Sequence, residues 1–274
     1  MKPTTQMLYS TVRLVASNDS IGTGFFFNFI FDEGETVVPV VITNKHVINY
    51  NQTEEVRFFL HTKNADFPDD EKLEISLKGN WIFHPDQDLC FCFVSPLLQQ
   101  IKSQKQKDIF YIPITENLIF DNAQLEELSA IEDVVMVGYP QGLWDQKNNL
   151  PLFRKGITSS HPATDFNDTN VGAVDMACFP GSSGSPIFIL NENGYTDKNG
   201  NSDLDGKRVI FLGILFQGPQ FNARGELVIE NIPTQQKVSA VTPLMINLGY
   251  YIKASEILVF RSEIEKRLGS KLVS

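Results

Sequence analysis

Apolar positions in this chain come in short bursts separated by Gly, Asn, Asp and Pro, and few of them repeat with the 3.6-residue period of a helix. Aromatic and β-branched content marks Thr11 to Val15, Gly22 to Phe31, Thr36 to Thr43 and Val56 to His61 as strands, followed by Leu73 to Leu77 and Leu89 to Val94. The Gln- and Lys-rich stretch Gln99 to Asp108 breaks the pattern and reads as an exposed connection, while Asn122 to Ile131 has room for one short helical turn. Strands resume at Val134 to Gly138, Leu152 to Ser159, Val171 to Ala177, Pro186 to Leu190, Val209 to Phe216, Glu226 to Glu230 and Lys237 to Val241. Only Ser255 to Leu268 carries a helical stripe, with Ile257, Phe260, Ile264 and Leu268 on one face and Gly269 as its stop. Two strand-rich blocks joined by a polar linker suggest paired β-barrels, which close to hide their edges; two β-sandwiches fit the same pattern. The expected divisions are 1–98 for the first barrel, 99–130 for the linker, 131–253 for the second barrel and 254–274 for the C-terminal helix.

A chain of 274 residues can bury a substantial core, and 42% hydrophobic with 20% charged residues describes a folded protein rather than a disordered one. Twenty-three basic against 33 acidic side chains leave a net charge of −10. That balance argues against nucleic acid as a partner, because phosphates need clustered Lys and Arg. No membrane association is expected either: the apolar run Gly24 to Phe31 is too short to span and carries Asn28 in its middle. Met1 to Gln6 lacks the apolar core of a secretory signal. Cys90, Cys92 and Cys178 cannot complete a disulfide framework, so a reducing compartment, the cytoplasm, is the expected location.

The densest chemistry lies in Phe179-Pro180-Gly181-Ser182-Ser183-Gly184-Ser185-Pro186, a small-residue turn that runs into the apolar strand Ile187 to Leu190. Such a turn lets backbone approach an incoming carbonyl and aim N–H groups at it. A serine hydroxyl is a poor nucleophile near neutrality unless a base lies within hydrogen-bond reach. One of four histidines, His46, follows the buried-looking strand Val40 to Thr43 through the polar pair Asn44-Lys45, and imidazole has the pKa for that task. In His84-Pro85-Asp86-Gln87-Asp88-Leu89 a carboxylate opens a strongly apolar strand, where it can orient an imidazole and stabilise its cation; Asp86 and Asp88 are both placed for this, Asp88 directly against the strand. His61, His84 and His161 read as packing or surface residues. No two histidines have metal-ligand spacing, so neither a metal nor another cofactor is expected. Asp197 to Gly206 looks like a calcium loop, but Ser202 stands where the sixth-position glycine belongs and Arg208 where the bidentate Glu belongs, which favours a plain polar hairpin.

In this order the segments resemble the trypsin-like serine peptidases of chymotrypsin fold, closest to the bacterial intracellular and HtrA-like branch. Gly22-Thr23-Gly24-Phe25 ahead of Thr43-Asn44-Lys45-His46, then Asp88-Leu89-Cys90, then Gly181-Ser182-Ser183-Gly184-Ser185-Pro186 match that family's strand, histidine turn, aspartate strand and nucleophile loop. Val137-Gly138-Tyr139-Pro140 and Lys155-Gly156-Ile157-Thr158 match pieces of its second barrel. The order His, Asp, Ser differs from that of α/β-hydrolases and subtilisins. The resemblance covers roughly residues 10 to 245 and implies an all-β fold of two antiparallel six-stranded barrels with a C-terminal α-helix. It implies a serine endopeptidase acting on polypeptides, with Ser183 as nucleophile, His46 as base and Asp88 holding His46. The N–H groups of Gly181 and Ser183 would form the oxyanion hole, with Ser182 shaping the turn between them.

In this family the residue six before the nucleophile sits at the base of the pocket for the side chain preceding the cut, called P1. Here it is Ala177, small and uncharged, so a small or medium apolar P1 residue is expected, with Phe216, Gln217 and Gly218 pairing with the substrate backbone. Secreted relatives carry an aspartate just before the nucleophile that pairs with a freed N-terminus. Ser182 stands there instead, so control is expected from a partner protein, a rearranged loop or substrate supply. Two other readings use the same residues: a protease-like domain with a distorted site that serves as an effector or binding module, and an esterase.

Overall fold

The computed structural model describes residues 1–140, 143–218, 220–226, 239–245 and 247–272. The first half of the chain runs through α1 (Pro3–Ser10), β1 (Thr11–Ala16), β2 (Ile21–Phe31), β3 (Thr36–Thr43), β4 (Glu55–Asn64), β5 (Phe67–Lys78), β6 (Ile82–Phe83) and β7 (Cys90–Phe93). Then come α2 (Val94–Lys105), β8 (Ile109–Phe110), β9 (Ile114–Thr115) and α3 (Asn122–Glu126). The second half holds β10 (Asp133–Gly138), β11 (Leu152–Thr158), β12 (Val171–Asp175), β13 (Pro186–Asn191), β14 (Tyr195–Thr196), β15 (Ser202–Asp203) and β16 (Arg208–Gln217). It ends with β17 (Gln220–Glu226), β18 (Ser239–Met245), β19 (Leu248–Lys253), a 3₁₀ segment (Ala254–Phe260) and α4 (Arg261–Leu272).

The protein is mostly β. Its second half closes as a six-stranded barrel in the order β10-β11-β12-β19-β16-β13. The first half departs from the expected six-stranded closed barrel. It is a nine-stranded sheet, ordered β5-β4-β1-β2-β3-β7-β6, with β8 added on β4 and β9 added parallel on β2.

Strand β2 explains the dense phenylalanine run. Alternate residues of a strand point to opposite faces, and here both faces are buried. Phe26 packs inside the first sheet with Val12, Leu14, Val41 and Val56. Phe25, Phe27 and Phe29 face the other way, into a core shared with Phe188, Phe211 and Ile252 of the barrel. The Phe25 and Phe211 rings meet edge to face at 5.5 Å across that boundary. Each fully buried Phe contributes about 1.5–3 kcal/mol, against roughly 0.5–1.5 for a neutral hydrogen bond. The aromatic core therefore holds the halves together, and the polar contacts across it fix their register.

Several elements differ from the sequence expectation. The Gln/Lys-rich connection begins inside α2, which crosses the expected boundary at residue 98 and buries Val94, Leu97 and Ile101 against the first sheet. Helix α1 and strand β19 were not expected, and β19 supplies the barrel's sixth strand. The expected strand Lys237 to Val241 overlaps β18 from Ser239 on, its first two residues lying outside the described residues, and β18 pairs with β17 as a separate two-stranded sheet. Of Glu226 to Glu230, only Glu226 lies in a described element, and the rest falls outside the described residues. The C-terminal helix opens as a 3₁₀ segment, and α4 continues through Gly269 to Leu272. The Asp197 loop joins β14 to β15, with the Asp197 Oδ1 accepting the N–H groups of Asn199 and Asn201.

Candidate active site

Thr43 ends β3 and Asn44 follows it, both fully buried, after which His46 opens a short 3₁₀ turn. The backbone of β7 pairs with β3, Thr43 opposite Cys90, and this register brings the residue two before Cys90 beside the histidine turn. Asp88 reaches His46 in two ways: Oδ1 accepts the His46 backbone N–H at 3.2 Å, and Oδ2 meets Nδ1 at 2.5 Å. The Asn44 side-chain amide donates to the Asp88 carbonyl at 2.8 Å, tying the two turns together a third time. Of the two candidate carboxylates it is Asp88 that faces the imidazole. Asp86 is exposed, and its N–H donates to His84 Nδ1 at 3.2 Å.

His84 is itself a structural keystone of that turn. Its Nδ1 accepts from the N–H groups of both Asp86 and Gln87, the latter at 2.9 Å, so the ring proton belongs on Nε2, which lies 3.4 Å from Glu256 Oε2. Burial, and after it the Lys45 ammonium, hold this imidazole below its ordinary pKa, with Asp86 pulling the other way. Beyond His46 the chain folds back on Glu54, a buried carboxylate that accepts from Ser17, Asn49 and Asn51. Burial alone would raise its pKa; the hydrogen bonds, those from Ser17 foremost, hold it below the usual range.

The serine turn sits at the entrance to β13. Gly181 and Gly184 adopt φ of +85° and +83°, a left-handed conformation natural to glycine. The Ser182 N–H donates to Phe179 O at 3.0 Å and the Gly184 N–H to Leu215 O at 2.8 Å. Among the described residues, the N–H groups of Gly181 and Ser183 have no backbone partner. The Ser182 hydroxyl is fully enclosed and has no partner among the described residues.

Thr23, in β2 of the first sheet, docks this turn. Its N–H donates to Ser183 O at 2.9 Å, its hydroxyl lies 3.3 Å from Gly181 O and accepts the Tyr139 N–H at 3.1 Å, and its carbonyl accepts from the Thr43 hydroxyl at 2.8 Å. The Ser185 hydroxyl adds a contact to the Thr23 Oγ1 at 3.2 Å. A methyl group at Gly184 would lie 1.9 Å from the Thr23 carbonyl and 2.6 Å from the Thr43 hydroxyl. Thr43 precedes His46 by three residues and Gly184 follows Ser183 by one, so the serine turn and the histidine turn abut. The Gly-Thr-Gly-Phe pattern was visible in the sequence, but nothing there signals that the threonine bridges both halves.

A cavity of about 210 Å³ opens beside Ser183, walled by Cys178, Phe179, Leu215, Phe216, Gln217 and Gly218. Ala177 is not on this wall among the described residues; its carbonyl accepts from Arg154 at 2.8 Å, and the Arg154 guanidinium lies over the Phe179 ring at 4.7 Å. Arg154 is thus a supporting residue that the sequence reading passed over. The Cys178 thiol, buried in the cavity wall, is pushed up to about 11, which keeps it a neutral apolar lining. Cys90 and Cys92 are buried in the first sheet's core; burial raises both thiols, Cys92 to about 12.

A model of the trypsin-like peptidase domain matches residues 22–195, more than half of the chain and all three of Ser183, His46 and Asp88. No curated protein sequence matches. Among solved structures, the chain is similar to Rv3671c from Mycobacterium tuberculosis H37Rv, a serine-to-alanine mutant in an inactive form, at 16% identity and a TM-score of 0.44, covering 96% of this chain and 89% of that one. A second inactive-form structure of the Rv3671c protease aligns at 17% identity and a TM-score of 0.41, covering 93% and 87%.

Proposed function

The chain belongs to the trypsin-like peptidase family and is a serine endopeptidase, and we propose that it cuts polypeptides through Ser183, His46 and Asp88 by way of an acyl-enzyme. The observation that carries this assignment is the His46–Asp88 contact of 2.5 Å in a turn that abuts the serine turn. With its Nδ1–H given to Asp88, His46 keeps Nε2 free as the base. Ser183 Oγ attacks the scissile carbonyl as His46 takes its proton. The N–H groups of Gly181 and Ser183 meet the oxygen that gains charge, an effect whose single-donor loss costs about 10²–10³ in turnover in such sites. His46 then passes the proton to the leaving amine, and water repeats the sequence on the acyl group.

The lining of the cavity beside Ser183 supports a small or medium apolar P1 residue: Cys178, Phe179, Leu215 and Phe216 bring no charge to pair with Arg, Lys or Glu. Three buried free thiols support a reducing compartment, the cytoplasm, as the place of action. The test is digestion of an unfolded protein by the purified chain, with the cut sites read by mass spectrometry. Ala, Val or Leu before the cut is the expected outcome. A profile dominated by Arg, Lys or Glu overturns the P1 assignment, and turnover of simple esters without any peptide cleavage favours the esterase reading.

A further inference from the structure

Asp86 is the carboxylate that the candidate triad leaves unused. It borders a cavity of about 660 Å³ between the two halves, with Asp86 and Gln87 on one side and Phe166, Phe216 and Tyr250 on the other. Gln87 spans the gap by donating to Thr169 O at 3.2 Å, and Phe166 stacks on Tyr250 with ring centres 5.4 Å apart. Phe216 also walls the smaller cavity at Ser183, so the two spaces are neighbours on either side of one side chain. A substrate chain leaving the P1 position along Phe216 therefore passes over the larger cavity.

We propose that this cavity is an extended subsite taking a cationic side chain, Lys or Arg, from a substrate residue lying further before the cut than P1; the proposal rests on the assignment of Ser183 as nucleophile. Apart from the Tyr250 phenol, Asp86 is the one ionisable group among the described lining residues. An ammonium or guanidinium placed there gains the carboxylate and the faces of aromatic rings, while its aliphatic stem packs on Phe166 and Phe216. The nearby charges reinforce the choice. Asp86 and Asp165 both act on Glu256, which burial has already raised, and the Lys253 ammonium is engaged with Asp165 at 2.5 Å. An acidic substrate side chain would meet the Asp86 carboxylate, and the net charge of −10 draws cationic peptides toward the protein.

The experiment uses the full chain and quenched fluorescent peptides with Ala fixed before the cut and Lys, Arg, Glu or Gln placed in turn at each of the three preceding positions. At one of these positions Lys or Arg is expected to exceed Glu in kcat/KM by about tenfold, the combined scale of an exposed ion pair and a cation–π contact. Asp86→Asn should reduce that ratio to about threefold, and Asp86→Lys should invert it. A flat or Glu-favouring profile, with Ser183 still modified by a fluorophosphonate, overturns the subsite and leaves the nucleophile assignment standing. A basic preference that survives Asp86→Lys likewise overturns it. Absence of both cleavage and labelling overturns the nucleophile assignment and the subsite with it.

Discussion

His46 and Asp88 meet within one sheet: the β3–β7 register, two Asp88–His46 contacts and the Asn44 bridge hold the pair directly, and only the flanking Gln87 and His84 reach the second half, at Thr169 and Glu256. Ser183 is held differently. Its turn contains two glycines at positive φ and gains much of its fixation from Thr23, a residue of the other half of the molecule. The direct contacts of the candidate acid–base pair thus lie within the first sheet, whereas the serine turn, though bonded to Phe179 and Leu215 of its own half, also leans on Thr23 across the boundary. Damage to the boundary should therefore disable the serine before it disturbs the histidine.

The largest expected effect is at Gly184. Gly184→Ala places a methyl group against the Thr23 carbonyl in a left-handed conformation, where backbone cannot yield cheaply. A loss of about 3 kcal/mol or more in stability is expected, together with the activity, measured by thermal melts and peptide hydrolysis. Next is Thr23. Thr23→Val removes the hydroxyl that accepts the buried Tyr139 N–H, at a cost of about 1–3 kcal/mol, and kcat should fall far more than KM rises, while Thr23→Ser restores most of kcat. Equal losses in the two variants, or a change confined to KM, would show that Thr23 does not position the serine turn.

A smaller effect concerns the local half. The folded chain holds His84 below its ordinary pKa of 6.5, so the unfolded chain takes up this proton first. The stability contributed is complete above about pH 6.5 and is lost as pH falls below it. Protonation also ends the acceptor role toward the Asp86 and Gln87 N–H groups. His61, lowered by its own burial and then by Lys72, adds to the same acid-side loss. Melting temperature should fall between pH 7 and pH 5, and His84→Asn, which keeps an acceptor but does not titrate, should fall less steeply. The smallest effect is expected at Ser182, whose enclosed hydroxyl lacks a partner among the described residues: Ser182→Ala should change stability by less than about 1 kcal/mol and leave cleavage intact.

The same contrast governs what could be read from the sequence. The candidates His46, Asp88 and Ser183 could be singled out because each sits beside a local pattern, an apolar strand end or a small-residue turn, in a telling order. Strand content was legible for the long runs, but β6, β8 and β9 are two residues each, too short to carry a period, and so the nine-stranded sheet was missed. The polar character of Gln99 to Lys105 masked the helical spacing of Val94, Leu97 and Ile101. Thr23, Arg154 and the Asp86 cavity draw on residues remote in sequence, and no local signal encodes such meetings.

The most direct measurement is covalent labelling of the intact chain by a fluorophosphonate, with the modified residue located by mass spectrometry in wild-type, His46→Ala and Ser182→Ala proteins. The account predicts one adduct, on Ser183, retained in Ser182→Ala and lost in His46→Ala. An adduct on Ser182, or labelling of Ser183 that persists at the wild-type rate without His46, would contradict it.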